Sequence, residues 1–222
     1  MHEILQQIRT DLRRSMDGMA SKSMREKGLS YKLNFGVDIP RLRQLSKKYR
    51  PDARLAELLW LQETRELKIL ATLLYPADEF DEEKAEKWVR EIPTHEIREQ
   101  ACMNLFQKLS FADNLVQNWS GSADEETRTS GYWLLTRLLI MKFPLGSSLN
   151  IDELAEKMIA DLNSDSYFLR LSAQNALKFL GRSSKELSQK ILTEIQDFQT
   201  SDEAVKNEIY DSLSFEFIDY SG

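Results

Sequence analysis

One cysteine and two histidines are all that this 222-residue chain offers for disulfide or soft-metal chemistry. A single cysteine cannot close an internal disulfide or build a multi-cysteine metal site, and His2 and His95 alone do not make a zinc centre. Cys102 stands in the apolar run AlaCysMetAsnLeuPhe and reads as a small core residue rather than a nucleophile. Glycine and proline are also scarce, at 8 and 5 residues, too few for the many turns of an all-β chain. The abundant Leu, Glu, Lys, Ala and Gln point instead to helices joined by short connections. No apolar run approaches the ~18–20 residues of a membrane span. Residues 1–15 are charged throughout, where a signal peptide would carry an apolar core. A cytoplasmic protein without membrane contact is expected.

What the chain does have is charge, unevenly placed. The net charge is −6, yet residues 1–54 hold 13 Lys/Arg against 6 Asp/Glu, a net of +7. The remaining 17 Lys/Arg and 30 Asp/Glu leave −13 on residues 55–222. A basic end of this kind is either a footprint for phosphate or a solvated helical face. Arg41, Arg43, Lys47, Lys48 and Arg50 are its densest run.

Apolar periodicity divides the chain into many short segments. Ile4, Leu5, Ile8 and Leu12 give residues 2–17 one apolar stripe, and residues 18–36 read as a connection holding at most a shorter helix. Pro40 opens a helix in its first turn, where its missing N–H costs nothing. Periodic segments follow over 52–62, 64–75, 81–92, 94–110, 111–119, 123–143, 151–163, 166–180 and 183–200, with a last one from Ser201. Asp81 and Thr94 have N-cap chemistry, Gly181 the character of a C-cap, and SerSerLysGlu that of a new helix start. So many short helices, with pairs repeating near the ~40 residues of HEAT-type arrays, predict an all-α, HEAT-like helical-repeat solenoid, an alpha-alpha superhelix, over the single domain 1–222. Trp60, Trp88 and Trp133 fit core positions, whereas Trp119, ending a helix before SerGlySer, is a candidate for stacking on a base.

Three blocks carry a resemblance. Phe35, Gly36, Val37, Pro40, Leu42 and Arg43 match a Phe-Gly-Val-x-x-Pro-x-Leu-Arg opening, and Leu59 and Trp60 followed by Glu66 and Lys68 match the next two helices. The run TyrPheLeuArgLeuSerAlaGlnAsnAlaLeuLysPheLeuGly forms the third block. Together they resemble the AlkD-like DNA alkylation repair family. The resemblance implies a superhelix holding duplex DNA on its concave face. It also implies a DNA glycosylase that hydrolyses the N-glycosidic bond of positively charged alkylated purines, without metal or organic cofactor and without drawing the base into a deep pocket. In that mechanism a carboxylate stabilises the cationic sugar, aromatic rings pack beside the lesion and an arginine holds phosphate.

The blocks that should carry the chemistry depart from the family pattern. The family's Trp-Asp-x-x-Asp is replaced by ThrHisGluIleArgGlu. One register sets His95 against the tryptophan and Glu99 against the catalytic acid; sliding by one residue puts Arg98 there. Where the family has its phosphate-binding arginine this chain has Thr129, with Arg128 one position earlier, and Asn175 replaces the third block's tryptophan. Glu99 is therefore the candidate catalytic carboxylate and His95 a second candidate, as general acid or base. Arg128, Arg170, Lys178, Arg182 and Trp119 are the candidate DNA contacts. The rival expectation is a non-catalytic scaffold whose concave face binds DNA or a protein partner. A monomer is expected in either case.

Overall fold

The computed structural model describes residues 2–29, 31–146 and 149–219. Among them no strand forms; the one β-type feature is an isolated bridge between Leu33 and Thr64. No described helix is long and apolar enough to cross a membrane. The chain divides into two compact units, residues 1–110 and 111–222.

The first unit contains α1 (His2–Arg14), α2 (Gly18–Glu26), α3 (Ile39–Ser46), α4 (Ala53–Trp60), α5 (Arg65–Leu74), α6 (Glu82–Arg90) and α7 (His95–Asn104). Helix α5 is its centre, packed by α3, α4 and α7. Side-chain acceptors start nearly every helix. Asp17, Asp38, Asp52, Asp81 and Thr94 each accept from a backbone N–H three residues on, satisfying a donor the helix leaves open. The expected connection over 18–36 does hold a short helix, α2. The segment expected over 94–110 breaks after Asn104 and continues as a 3-10 turn at Phe106–Lys108. Trp60 stacks on Trp88 with centroids 4.0 Å apart, Tyr75 and Phe80 meet Trp88 edge-on, and the Trp60 indole N–H donates to Glu91 at 2.8 Å. Both indoles are core, as their spacing predicted.

The second unit contains α8 (Ala112–Ser120), α9 (Glu125–Ile140), α10 (Ile151–Asp161), α11 (Tyr167–Gly181), α12 (Lys185–Glu194) and α13 (Ala204–Asp219). Here α8 pairs with α9, α10 with α11, and α11 lies against α9, α12 and α13. Gly131 lets α9 approach α8, since a Cβ there would sit 2.6 Å from the Ser120 amide nitrogen. Gly181 is not the C-cap its position suggested. It is the last residue of α11, Arg182 is the cap, and the missing side chain makes room for the Phe217 ring of α13.

Within each unit, several polar ties join residues a little over 30 positions apart. Phe35 to Glu66, Trp60 to Glu91 and Arg65 to Glu96 are each 31 residues apart; Arg128 to Asp161 is 33 and Arg182 to Glu216 is 34.

Candidate functional site

In the first unit the site is built on a buried ionic network. Glu66, with no exposed surface, accepts from the backbone N–H groups of Phe35 at 3.1 Å and Val37 at 3.3 Å. Arg65 lies beside it. Its Nη1 donates to the Val37 carbonyl at 2.7 Å and to Glu66 at 3.1 Å, and its Nε and Nη2 grip Glu96 at 2.8 and 2.6 Å. This fork-on-carboxylate geometry is the strong form of a charge-assisted pair. Glu96 is in the first turn of α7, so Arg65 fixes that helix start. Thr94, the N-cap, is bonded in turn to the Tyr31 hydroxyl at 2.6 Å.

The turn so anchored carries His95, Arg98 and Glu99. Arg98 is almost wholly buried, 2% exposed, so the register that sets it at the catalytic place puts a core guanidinium there. The Glu99 side chain is 41% exposed, and its carboxylate faces His95 Nε2 at 3.6 Å. On the other side of the ring, Arg98 Nη1 lies 3.3 Å from His95 Nδ1. A guanidinium only donates, so Nδ1 accepts and the ring proton sits on Nε2, on the side of Glu99 but beyond hydrogen-bond distance of it. Burial and the Arg98 charge push the His95 pKa from 6.5 down to about 4. The expected general acid or base is therefore corrected: near neutrality His95 is uncharged and its basic nitrogen is engaged by Arg98. Burial and the Glu96 charge raise the Glu99 pKa, with Arg98 opposing.

A depressed histidine pKa makes stability depend on pH. Between about 6.5 and 4 the unfolded chain takes up a proton at His95 that the folded chain refuses, so stability falls as pH drops through this window. Thermal melts of His95→Gln and wild type from pH 7.5 to 4.5 should show the wild type losing more. Parallel curves would contradict the buried neutral ring.

The second unit treats the remaining candidates differently from expectation. Trp119 is 1% exposed and lies in the core, so it presents no face to a base. Arg128 grips Asp161 through Nε at 2.8 Å and Nη2 at 3.2 Å, and the Tyr132 hydroxyl donates to the same carboxylate at 2.7 Å. Arg170 donates to the Ser164 carbonyl. Lys178 and Arg182 both pair with Glu216. Three of the four cations thus already hold a carboxylate. The sequence reading missed Asp161 and Glu216, and it missed the exposed aromatic pair Tyr167 and Phe168 at the start of α11, with centroids 5.3 Å apart. Their signal was present: two large rings directly after an N-cap serine, ahead of the buried stripe of Leu169, Ala173, Ala176, Leu177 and Leu180.

The N-terminal cations are in a different state. Arg41, Arg43, Lys47, Arg50 and Arg54 are all exposed. The bonds they make are to neutral groups, Arg41 to Gln44 and Arg43 to the Met103 sulfur. Of the acids nearby, Asp38 starts α3 and Asp52 starts α4, while the exposed Glu79 lines the same groove as Arg50 and Arg54. Arg50 and Arg54 line a groove of about 610 Å³ with Tyr49, Pro51 and Ile4.

The family model described as DNA alkylation repair enzyme matches residues 8–206. The chain belongs to the DNA alkylation repair family. Its fold is HEAT-like as well. A solved structure described as a new family of proteins related to the HEAT-like repeat DNA glycosylases with affinity for branched DNA structures superposes with a TM-score of 0.78. That match covers 95% of this chain and 94% of the other at 15% identity. No curated protein matches the sequence. Seen from the family, the residues of the Phe-Gly-Val opening are the ones that cradle Glu66, so the motif is a scaffold device. Among the described residues, no group of three or more His, Cys, Asp or Glu could hold a metal ion.

Proposed function

We propose that this protein is a DNA-binding member of the DNA alkylation repair family. It engages the phosphates of structured DNA, branched DNA included, through the exposed cations of α3 and the turn into α4. One observation carries this reading: Arg41, Arg43, Lys47, Arg50 and Arg54 are exposed and bond to no carboxylate among the contacts described, whereas Arg128 is paired with Asp161 and Lys178 and Arg182 share Glu216. Phosphate contact is chiefly electrostatic, so unneutralised exposed cations supply most of it. The affinity of the structural neighbour for branched DNA supports the choice of substrate. The exposed rings of Tyr167 and Phe168 suit an unpaired base such as a branch point offers.

A second reading, hydrolysis of the N-glycosidic bond of a cationic alkylpurine, rests on Glu99. It is a partly exposed carboxylate at an anchored helix start, with the His95 ring 3.6 Å away. Such a carboxylate can stabilise an oxocarbenium-like sugar.

Both readings are tested together. Full-length protein is titrated with labelled duplex and four-way-junction DNA over a salt series, and released bases are assayed from methylated duplex. Binding that weakens steeply with salt and drops at least tenfold in Arg50→Gln/Arg54→Gln is expected. Binding indifferent to these changes would overturn the first reading. Base release that disappears in Glu99→Gln supports the second, and absence of release from wild type removes it.

A further inference from the structure

Lys178 and Arg182 stand one helical turn apart on α11, and both direct their cationic ends onto the Glu216 carboxylate of α13. The three side chains are 26%, 22% and 16% exposed, so the cluster is at the surface, partly shielded from water. Glu216 is delivered by its neighbour: Phe217 is buried against α11 in the space that Gly181 leaves by having no side chain. Ile209, Leu213 and Phe217 hold α13 down with at most 4% of each exposed. The helix is therefore fixed, and the mobile part of the contact is the glutamate side chain with its three rotatable bonds. The Arg182 guanidinium also lies over the Phe179 ring, 4.6 Å from its centroid, so that cation keeps its place if its anion leaves.

The chemistry of the cluster is that of an anion site. Two nitrogen donors a turn apart around one singly charged, two-oxygen group fit a carboxylate. They fit equally well a phosphodiester, whose two non-bridging oxygens carry the same charge. Because the cluster reaches the surface, a phosphodiester can approach it, and exchanging one singly charged anion for another leaves both cations paired, so the exchange does not strand a charge.

We propose that Lys178 and Arg182 form a phosphodiester-binding site for DNA that Glu216 keeps filled, and that DNA engages it by displacing this carboxylate. The proposal rests on the DNA-binding reading above and adds to it a built-in competitor. It makes the second unit a reserve of two further phosphate contacts, opened only by a ligand held close enough to compete.

The test compares wild type with Glu216→Gln, both full length, binding labelled four-way-junction DNA between 50 and 200 mM salt, with thermal melts alongside. Glu216→Gln is expected to bind about tenfold tighter at the low end, with a salt slope steeper by about 1–2, the mark of one or two added phosphate contacts. Adding Lys178→Gln/Arg182→Gln to that variant should return affinity and slope to the wild-type values. An unchanged affinity in a folded Glu216→Gln protein overturns the proposal, as does a gain that survives the Lys178→Gln/Arg182→Gln change. If neither wild type nor Glu216→Gln binds DNA, the DNA-binding reading itself has failed; if wild type binds and Glu216→Gln binds identically, only the competitor has.

Discussion

Glu66→Ala is expected to lose about 3–5 kcal/mol of unfolding free energy, the range for breaking a buried ion pair by removing one partner. Glu66 has no exposed surface, and its two oxygens serve three donors: the Phe35 and Val37 amides and the Arg65 guanidinium. Alanine leaves two backbone N–H groups and part of a buried cation without an acceptor, each at its full desolvation cost. Glu66→Gln keeps one acceptor oxygen and should lose less. The loss should also reach α7, because Arg65, released on one side, no longer holds Glu96 in a fixed place. Urea titrations of both variants measure the effect, and hydrogen exchange at the amides of residues 95–99 reports its spread. A loss below about 1 kcal/mol for the alanine variant would mean that water replaces the carboxylate, contrary to its burial.

Gly36→Ala should come close behind, at about 2–4 kcal/mol, from two separate causes. The backbone at Gly36 has φ +72°, a left-handed conformation that costs a residue with a Cβ about 1–2 kcal/mol. A Cβ there would also overlap the Asp17 carbonyl and lie 2.7 Å from the Ser21 amide nitrogen, both backbone atoms at the start of α2. Overpacking of this kind adds about 1–3 kcal/mol. Gly28, with φ +83° but open space around it, is the control: Gly28→Ala meets only the first cause. Equal losses at the two positions in chemical denaturation would show that α2 yields to the added methyl group.

The helices and their starts were legible because their causes are local. Cap residues, apolar stripes and proline in a first turn act within about four residues, and a sequence displays that range directly. The break of the 94–110 segment after Asn104 was not legible, since the run stays apolar through Leu105 and Phe106 while the backbone tightens to a 3-10 turn. At the candidate site the residue types were found and their states were not. Lys178, Arg182 and Arg128 are cations in sequence just as Arg50 and Arg54 are, and what separates them is a carboxylate more than 30 residues further on. Trp119 was misjudged for the same reason, its helix end being covered by residues distant in sequence. The family resemblance supplied Glu66 and Gly36 as positions, and the structure supplied the reason: one closes a loop's hydrogen bonds, the other lets that loop touch α2.

The paired cations of the second unit also govern how a nucleic acid would approach. An arriving polyanion responds to the field at a distance of several ångströms, before any side chain can rearrange. Arg128 is cancelled by Asp161, and Lys178 and Arg182 share the one carboxylate of Glu216, so these three cations add a single net charge to that field, while residues 55–222 as a whole carry −13. Attraction comes from the +7 of residues 1–54. On the DNA-binding reading proposed above, encounter would therefore be polarised along the chain, capture beginning at the N-terminal helices and any grip by Lys178 and Arg182 waiting on displacement of Glu216.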